Sequence, residues 1–292
     1  MNMSENNSPY IFDTDKNNFP TFTKKNIAFL NGILRYDSNY SASLNKDVPE
    51  YADTYACILE SKKEIFFNFP EIPEFNERDE LGNRKDLLYK VIESIDIINS
   101  THLASEGNAK NNDRGKNEKR NRGRARVAAK IREIGGKKLK QLLEQGDNNI
   151  VSIIADREVG GKHNFSFATK FCSYVSIYAL GKDNYCIYDN VIQSVLPYYA
   201  YMYIDKDVYE ENYSNLYRTS RNGENISLVE TYKENDDYKG YRNLIDDIIK
   251  GIKANNGVEV TYADFDHMLW YYFKRSQKER EECLKILPAR KG

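Results

Sequence analysis

Four cysteines, three histidines and a single tryptophan are few for a chain of 292 residues. Cys57, Cys172, Cys186 and Cys283 form no CxxC pair and share no metal-ligand spacing with His102, His163 or His267. Neither a disulfide framework nor a zinc or iron–sulfur site is therefore expected, no cofactor is implied, and buried free thiols are the simplest reading. Long hydrophobic runs are missing too: no stretch approaches the ~20 apolar residues that span a bilayer. The N-terminus, "MNMSENNSPYIFDTDKNN", lacks a basic segment followed by an apolar one. A membrane protein is excluded on this reading and the cytoplasm is the expected location.

What the chain has in quantity is charge and tyrosine. Charged residues make up 30% and there are 23 tyrosines, a composition suited to well-solvated surfaces and half-buried stacking faces. The near-neutral total hides an asymmetry. Lys110 to Lys140 holds thirteen basic residues against three acidic ones, so with −1 overall the remainder carries −11. A basic segment on an otherwise acidic chain fits either a polyanion contact or a solvated linker.

The hydrophobic pattern is mainly helical. Thr23 can cap "KKNIAFLNGILRY", and "KDLLYKVIESIDIINS" has apolar residues at helical spacing. Around "TYACILESKKEIFFNFP" the pattern is β-like, and a small hairpin or a short helix both fit. Ser105 to Gly123 has no periodicity and reads as a flexible basic loop. "RARVAAKIREI" and "KKLKQLLEQG" form short helices broken by Gly135 and Gly136. A short apolar helix around Ile150 to Ile154 enters a tight turn at Gly160 and Gly161, and a second helix begins near Asn164. Further helices are expected over "LVETYKENDDYKGYRNLIDDIIKGIKANNG" and over "TYADFDHMLWYYFKRSQKEREECLKIL", the latter capped by Thr261 and Asp264. The expected organisation is residues 1–104 as a mostly helical N-terminal region, 105–123 as the basic loop, and 124–292 as a helical core.

The candidate chemistry lies in "FSFATKFCSYVSIYAL", where Lys170 is the one charged residue. A helix that is apolar or small nearly all round belongs in an interior. A lysine there either snorkels to the surface or is desolvated, and desolvation favours the neutral amine that attacks an electrophilic carbon. Asp189, nineteen positions on, stands just before the next helix, where a carboxylate acts as an N-cap and, at a cleft edge, can also face a developing cation.

A hairpin followed by a small-x-small-Thr-Lys sequence, an apolar helix and an Asp nineteen residues after the Lys resembles the helix-hairpin-helix DNA glycosylases, in particular the 8-oxoguanine glycosylase branch. The resemblance covers about forty residues, Val159 to Tyr199, through Ser166, Ala168, Thr169-Lys170, Lys182 and Asp189. The family's hairpin normally has glycines where Ser166 and Ala168 stand, its usual proline before the aspartate is replaced by Ile187-Tyr188, and no cluster cysteines are present. A divergent bacterial member is implied.

The resemblance implies a mainly α, helix-hairpin-helix glycosylase-like fold, with a small N-terminal β element left open by the pattern around Tyr55 to Phe67. It implies DNA as the partner, Lys170 as the nucleophile at the sugar C1′ and Asp189 as its assistant, with excision of a damaged or modified base and associated β-lyase activity. A defence role against modified phage DNA is an extension of that analogy. Arg120, Arg122, Arg124, Arg126 and Lys130 become candidate phosphate contacts, together with Gly160, Gly161, Lys162 and His163 of the turn. An extruded base needs stacking faces; Trp270 and Tyr271 could supply them and His267 a proton, although apolar residues at helical spacing are more often core. The competing reading is a catalytically inactive nucleic-acid-binding module of the same fold.

Overall fold

The computed structural model describes residues 11–34, 54–69, 86–99, 101, 103, 113–155, 163–274 and 276–290. Among them are thirteen helices and one two-stranded antiparallel ribbon. In chain order the helices are α1 (Lys24–Leu34), α2 (Thr54–Ser61), α3 (Leu87–Ile98), α4 (Asp113–Ile134), α5 (Gly136–Gln145), α6 (Asn149–Ala155), α7 (Phe165–Leu180), α8 (Asn190–Tyr203) and α9 (Lys206–Asn212). The ribbon, β1 (Tyr217–Thr219) and β2 (Asn225–Ser227), follows, and then α10 (Glu230–Glu234), α11 (Tyr238–Asn256), α12 (Tyr262–Phe273) and α13 (Gln277–Lys285).

The mainly α expectation holds, with three corrections. Of the hairpin and the short helix that both fit the pattern near Tyr55, the helix forms, as α2, and the ribbon lies far downstream at residues 217–227. The single helix expected over residues 228–257 divides into α10 and α11. Residues 113–123, expected as loop, are the first half of α4. The C-terminal helix divides after Phe273, and Ser276 caps a separate α13 by accepting from the Glu279 amide.

A contiguous apolar core runs through Phe22, Leu88, Leu139, Phe171, Leu244 and Phe273, so both larger segments expected from the sequence contribute to it. α3 and α4 are stapled by ion pairs from two arginines of α4. Arg124 Nε meets Asp96 Oδ2 at 2.8 Å, and Arg132 meets both oxygens of Asp86 at 3.1 and 3.0 Å. The later arginine pairs with the earlier aspartate, so the helices run antiparallel.

α8 lies against α11, α12 and α13. Pro197 sits inside it and cannot donate to the Gln193 carbonyl one turn back. The Ser227 hydroxyl of β2 donates to that carbonyl instead, at 2.8 Å. A break in the helix ladder thereby becomes one tie to the ribbon, beside those of Asn225 to the Leu284 and Leu287 carbonyls.

Candidate active site

α7 carries Lys170 into the interior because its surroundings demand it: Phe167, Ala168, Phe171 and Cys172 are all buried. The helix stops at Gly181, whose φ of 64° suits the absence of a Cβ. Its amide donates to the Ile177 carbonyl and that of Lys182 to the Ser176 carbonyl, which turns the chain back along the helix. The returning segment ends at Asp189, which is extended in its own backbone and is the N-cap of α8, its Oδ1 accepting from the Val191 amide at 2.8 Å.

Lys170 Nζ donates to Asp189 Oδ2 at 3.0 Å, and the two residues are only 5% and 9% exposed. One residue earlier on each strand of this contact, the Tyr188 amide donates to the Thr169 hydroxyl at 3.1 Å. Two contacts with the same sequence separation of nineteen set the register between helix and returning segment. Burial alone would push the Asp189 carboxyl up; the Lys170 charge, the Val191 amide and the more distant Lys274 outweigh it and hold the group below its ordinary value.

A third ionisable group belongs to this constellation. Asp266 of α12 has its Oδ1 closed off from solvent and without a hydrogen-bond partner. Burial, then the Asp189 charge, pushes its carboxyl up to about 8, against the opposing pull of Lys170. Asp266 also helps to wall a cavity of about 340 Å³ formed by α7, the α7–α8 connection and the head of α12. Ser173 and Tyr174, three and four residues on from Lys170, face the same space, with Tyr178 one turn beyond. Lys170 and Asp189 lie beside this cavity and are not part of its wall. Asp183 in the connection accepts from the Ala263 amide at 2.9 Å and so fastens the connection to α12.

Of the residues singled out in the sequence, Lys170 and Asp189 are brought together and His267 reaches the cavity wall. Tyr271 is not brought to it. Its ring packs near Phe12 and Phe29, in an aromatic cluster with the N-terminal segment. Trp270 carries the Lys274 ammonium over its ring at 5.0 Å and is likewise outside the wall. Arg122 and Arg126 are exposed on α4 and Arg120 and Lys130 partly so. Arg124, expected as a phosphate contact, is 6% exposed and spent on Asp96 and Glu93. His163 is paired with Asp236 at 3.1 Å, so an acid stands where a phosphate contact was expected. Gly160, Gly161 and Lys162 lie outside the described residues.

Sequence reasoning missed Asp266, Tyr174 and the hydroxyl of Thr169 as a register pin. Asp266 gave the same signal as Lys170, a charge among apolar neighbours (Phe265, Met268, Leu269), two positions after the capping-box Asp264. Among the described residues, no helix is long and apolar enough to cross a membrane. Compared with models of protein families, with curated proteins and with solved structures, the chain matches none.

Proposed function

We propose that the protein is a DNA glycosylase of the helix-hairpin-helix type, with lyase activity, acting on a damaged or modified base. The observation that carries this is the Lys170–Asp189 contact: an interior amine 3.0 Å from a carboxylate that a helix N-terminus holds in place. Lys170, having released a proton to solvent water, attacks C1′ of an extruded nucleotide. The C1′–Nζ bond forms as the bond to the base breaks, and the base leaves with the bonding pair. Ring opening of the sugar then gives a Schiff base between Nζ and C1′. Asp189 stays ionised through this sequence and stabilises the positive charge that develops on the sugar. Tyr174 and Tyr178 supply aromatic faces in the neighbouring cavity. Exposed basic side chains of α4, Arg122 and Arg126 among them, contact the phosphates. Bases of modified phage DNA are one source of substrate, which would give the activity a defensive use.

The test is borohydride trapping on an oligonucleotide carrying an abasic site. The parent forms a covalent adduct, because reduction fixes the Schiff base, and Lys170→Gln forms none. Equal trapping by both proteins removes Lys170 from the mechanism. A second reading is favoured by the saturation of the Asp189 oxygens, one by Val191 and one by Lys170. In that reading the pair is a structural ion pair in a DNA-binding module without turnover, which predicts salt-dependent DNA binding and no adduct with either protein.

A further inference from the structure

Two carboxyl groups in this constellation are placed in opposite environments, and such divergence separates an acid from a base or charge stabiliser. Asp189 has a cation and a backbone amide to itself. Asp266 has neither: its Oδ1 is buried and unpartnered, it faces the cavity, and Asp189 stands close enough to resist a second negative charge. We infer that Asp266 is the general acid that protonates the departing base, and that the substrate base is neutral and presents a ring nitrogen or carbonyl oxygen to the α12 side of the cavity. This rests on the glycosylase reading above.

The proton balance requires such a group. When the bond from C1′ to a neutral base breaks, the base takes the bonding electrons and departs as an anion unless a proton reaches it. Asp266 transfers its proton to the base and becomes a carboxylate, which water re-protonates after release, while the positive charge on the sugar is met by Asp189 and quenched by Lys170. The division of labour is that of glycoside hydrolysis, where one carboxyl protonates the leaving group and the other faces the oxocarbenium ion. A pKa of about 8 leaves Asp266 protonated at neutral pH and still able to donate. The charged groups around it are Lys170 on α7, Asp189 at the head of α8 and Asp183 in the connection. The phenols of Tyr174 and Tyr241 also feel its charge, and Glu60, Lys182, Asp264 and His267 line the same cavity.

The experiment compares the parent with Asp266→Asn, which keeps the shape and removes the acid. Three substrates are used: an oligonucleotide with an abasic site, one with the neutral base 8-oxoguanine, and one with N7-methylguanine, a cationic base that leaves without needing a proton. Asp266→Asn is expected to trap the abasic site as the parent does, to release 8-oxoguanine roughly a hundredfold or more slowly, the usual size of a lost general acid, and to release N7-methylguanine within a fewfold of the parent. In the parent, release of the neutral base falls about tenfold per pH unit above about 8, as the acid form is depleted. A difference infrared spectrum of parent minus Asp266→Asn should show a protonated carboxyl band at pH 7 that vanishes on titration through the same range. Release of the neutral base by Asp266→Asn at the parental rate, or no such band at pH 7, overturns the assignment. Failure of the parent to trap the abasic site, or to release either base, overturns the glycosylase reading instead, and the infrared band then decides the protonation of Asp266 alone.

Discussion

Thr169 shows how much of the site depends on one uncharged atom. Its hydroxyl donates to the Ser166 carbonyl one turn back and accepts from the Tyr188 amide, so it is saturated within α7 and across to the returning segment. Replacement by valine, nearly the same shape, would leave the Tyr188 amide buried without a partner, a loss of about 1–3 kcal/mol. Urea unfolding of Thr169→Val is expected to show that loss. Trapping of an abasic site should fall as well, although both Lys170 and Asp189 remain, because the register that aligns them has lost one of its two pins. Full trapping by a destabilised Thr169→Val would limit the residue to a structural role.

At the scale of the elements, close approach decides which helices are fixed relative to the site. A Cβ placed on Gly251 of α11 would lie 1.9 Å from the Tyr203 carbonyl oxygen at the end of α8. Backbone is the obstacle there, so no rotamer relieves it. Gly251→Ala should push α11 away from α8 and destabilise the fold by about 1–3 kcal/mol or more, even though alanine favours a helix interior. Thermal or urea denaturation measures this directly; an unchanged midpoint would mean that the two helices separate without cost. The same contact matters for the site, since Tyr241 of α11 donates to the Ile187 carbonyl and Tyr238 to that of Cys186, both in the segment that ends at Asp189.

For the whole molecule, the charge count overstates the surface that DNA could meet. Two arginines of the basic segment, Arg124 and Arg132, are turned inward to aspartates on α3. Arg124→Gln would leave Asp96 without its cation, and loss of one partner of a buried pair costs about 3–5 kcal/mol. Arg122 and Arg126 lie on the exposed side of the same helix. The double variant Arg122→Gln, Arg126→Gln should unfold as the parent does but bind duplex DNA more weakly, with a plot of log affinity against log salt shallower by up to about 2. Binding that is indifferent to both substitutions and to salt would place the DNA contact elsewhere or remove it.

Periodicity alone was enough to read most helices, because an amphipathic or wholly apolar stripe declares its own period, as in α3, α7 and α11. The isolation of Lys170 on α7 and the position of Asp189 before α8 were legible for the same local reason. Local pattern left α2 open between hairpin and helix and failed over residues 113–123, the first half of α4. The first has β-branched and aromatic residues that pack as a helix against α3, and the second continues into a half of the helix that Asp86 and Asp96, distant in sequence, hold through Arg132 and Arg124. The ribbon at 217–227 could not be read because its anchors lie on other elements, the carbonyl freed by Pro197 and the Leu284 and Leu287 carbonyls. Asp266 is the clearest case of a role decided by tertiary structure. Burial first, then the Asp189 and Asp183 charges from separate parts of the chain, push its carboxyl up against the pull of Lys170, and a sequence settles only which residue carries the acid.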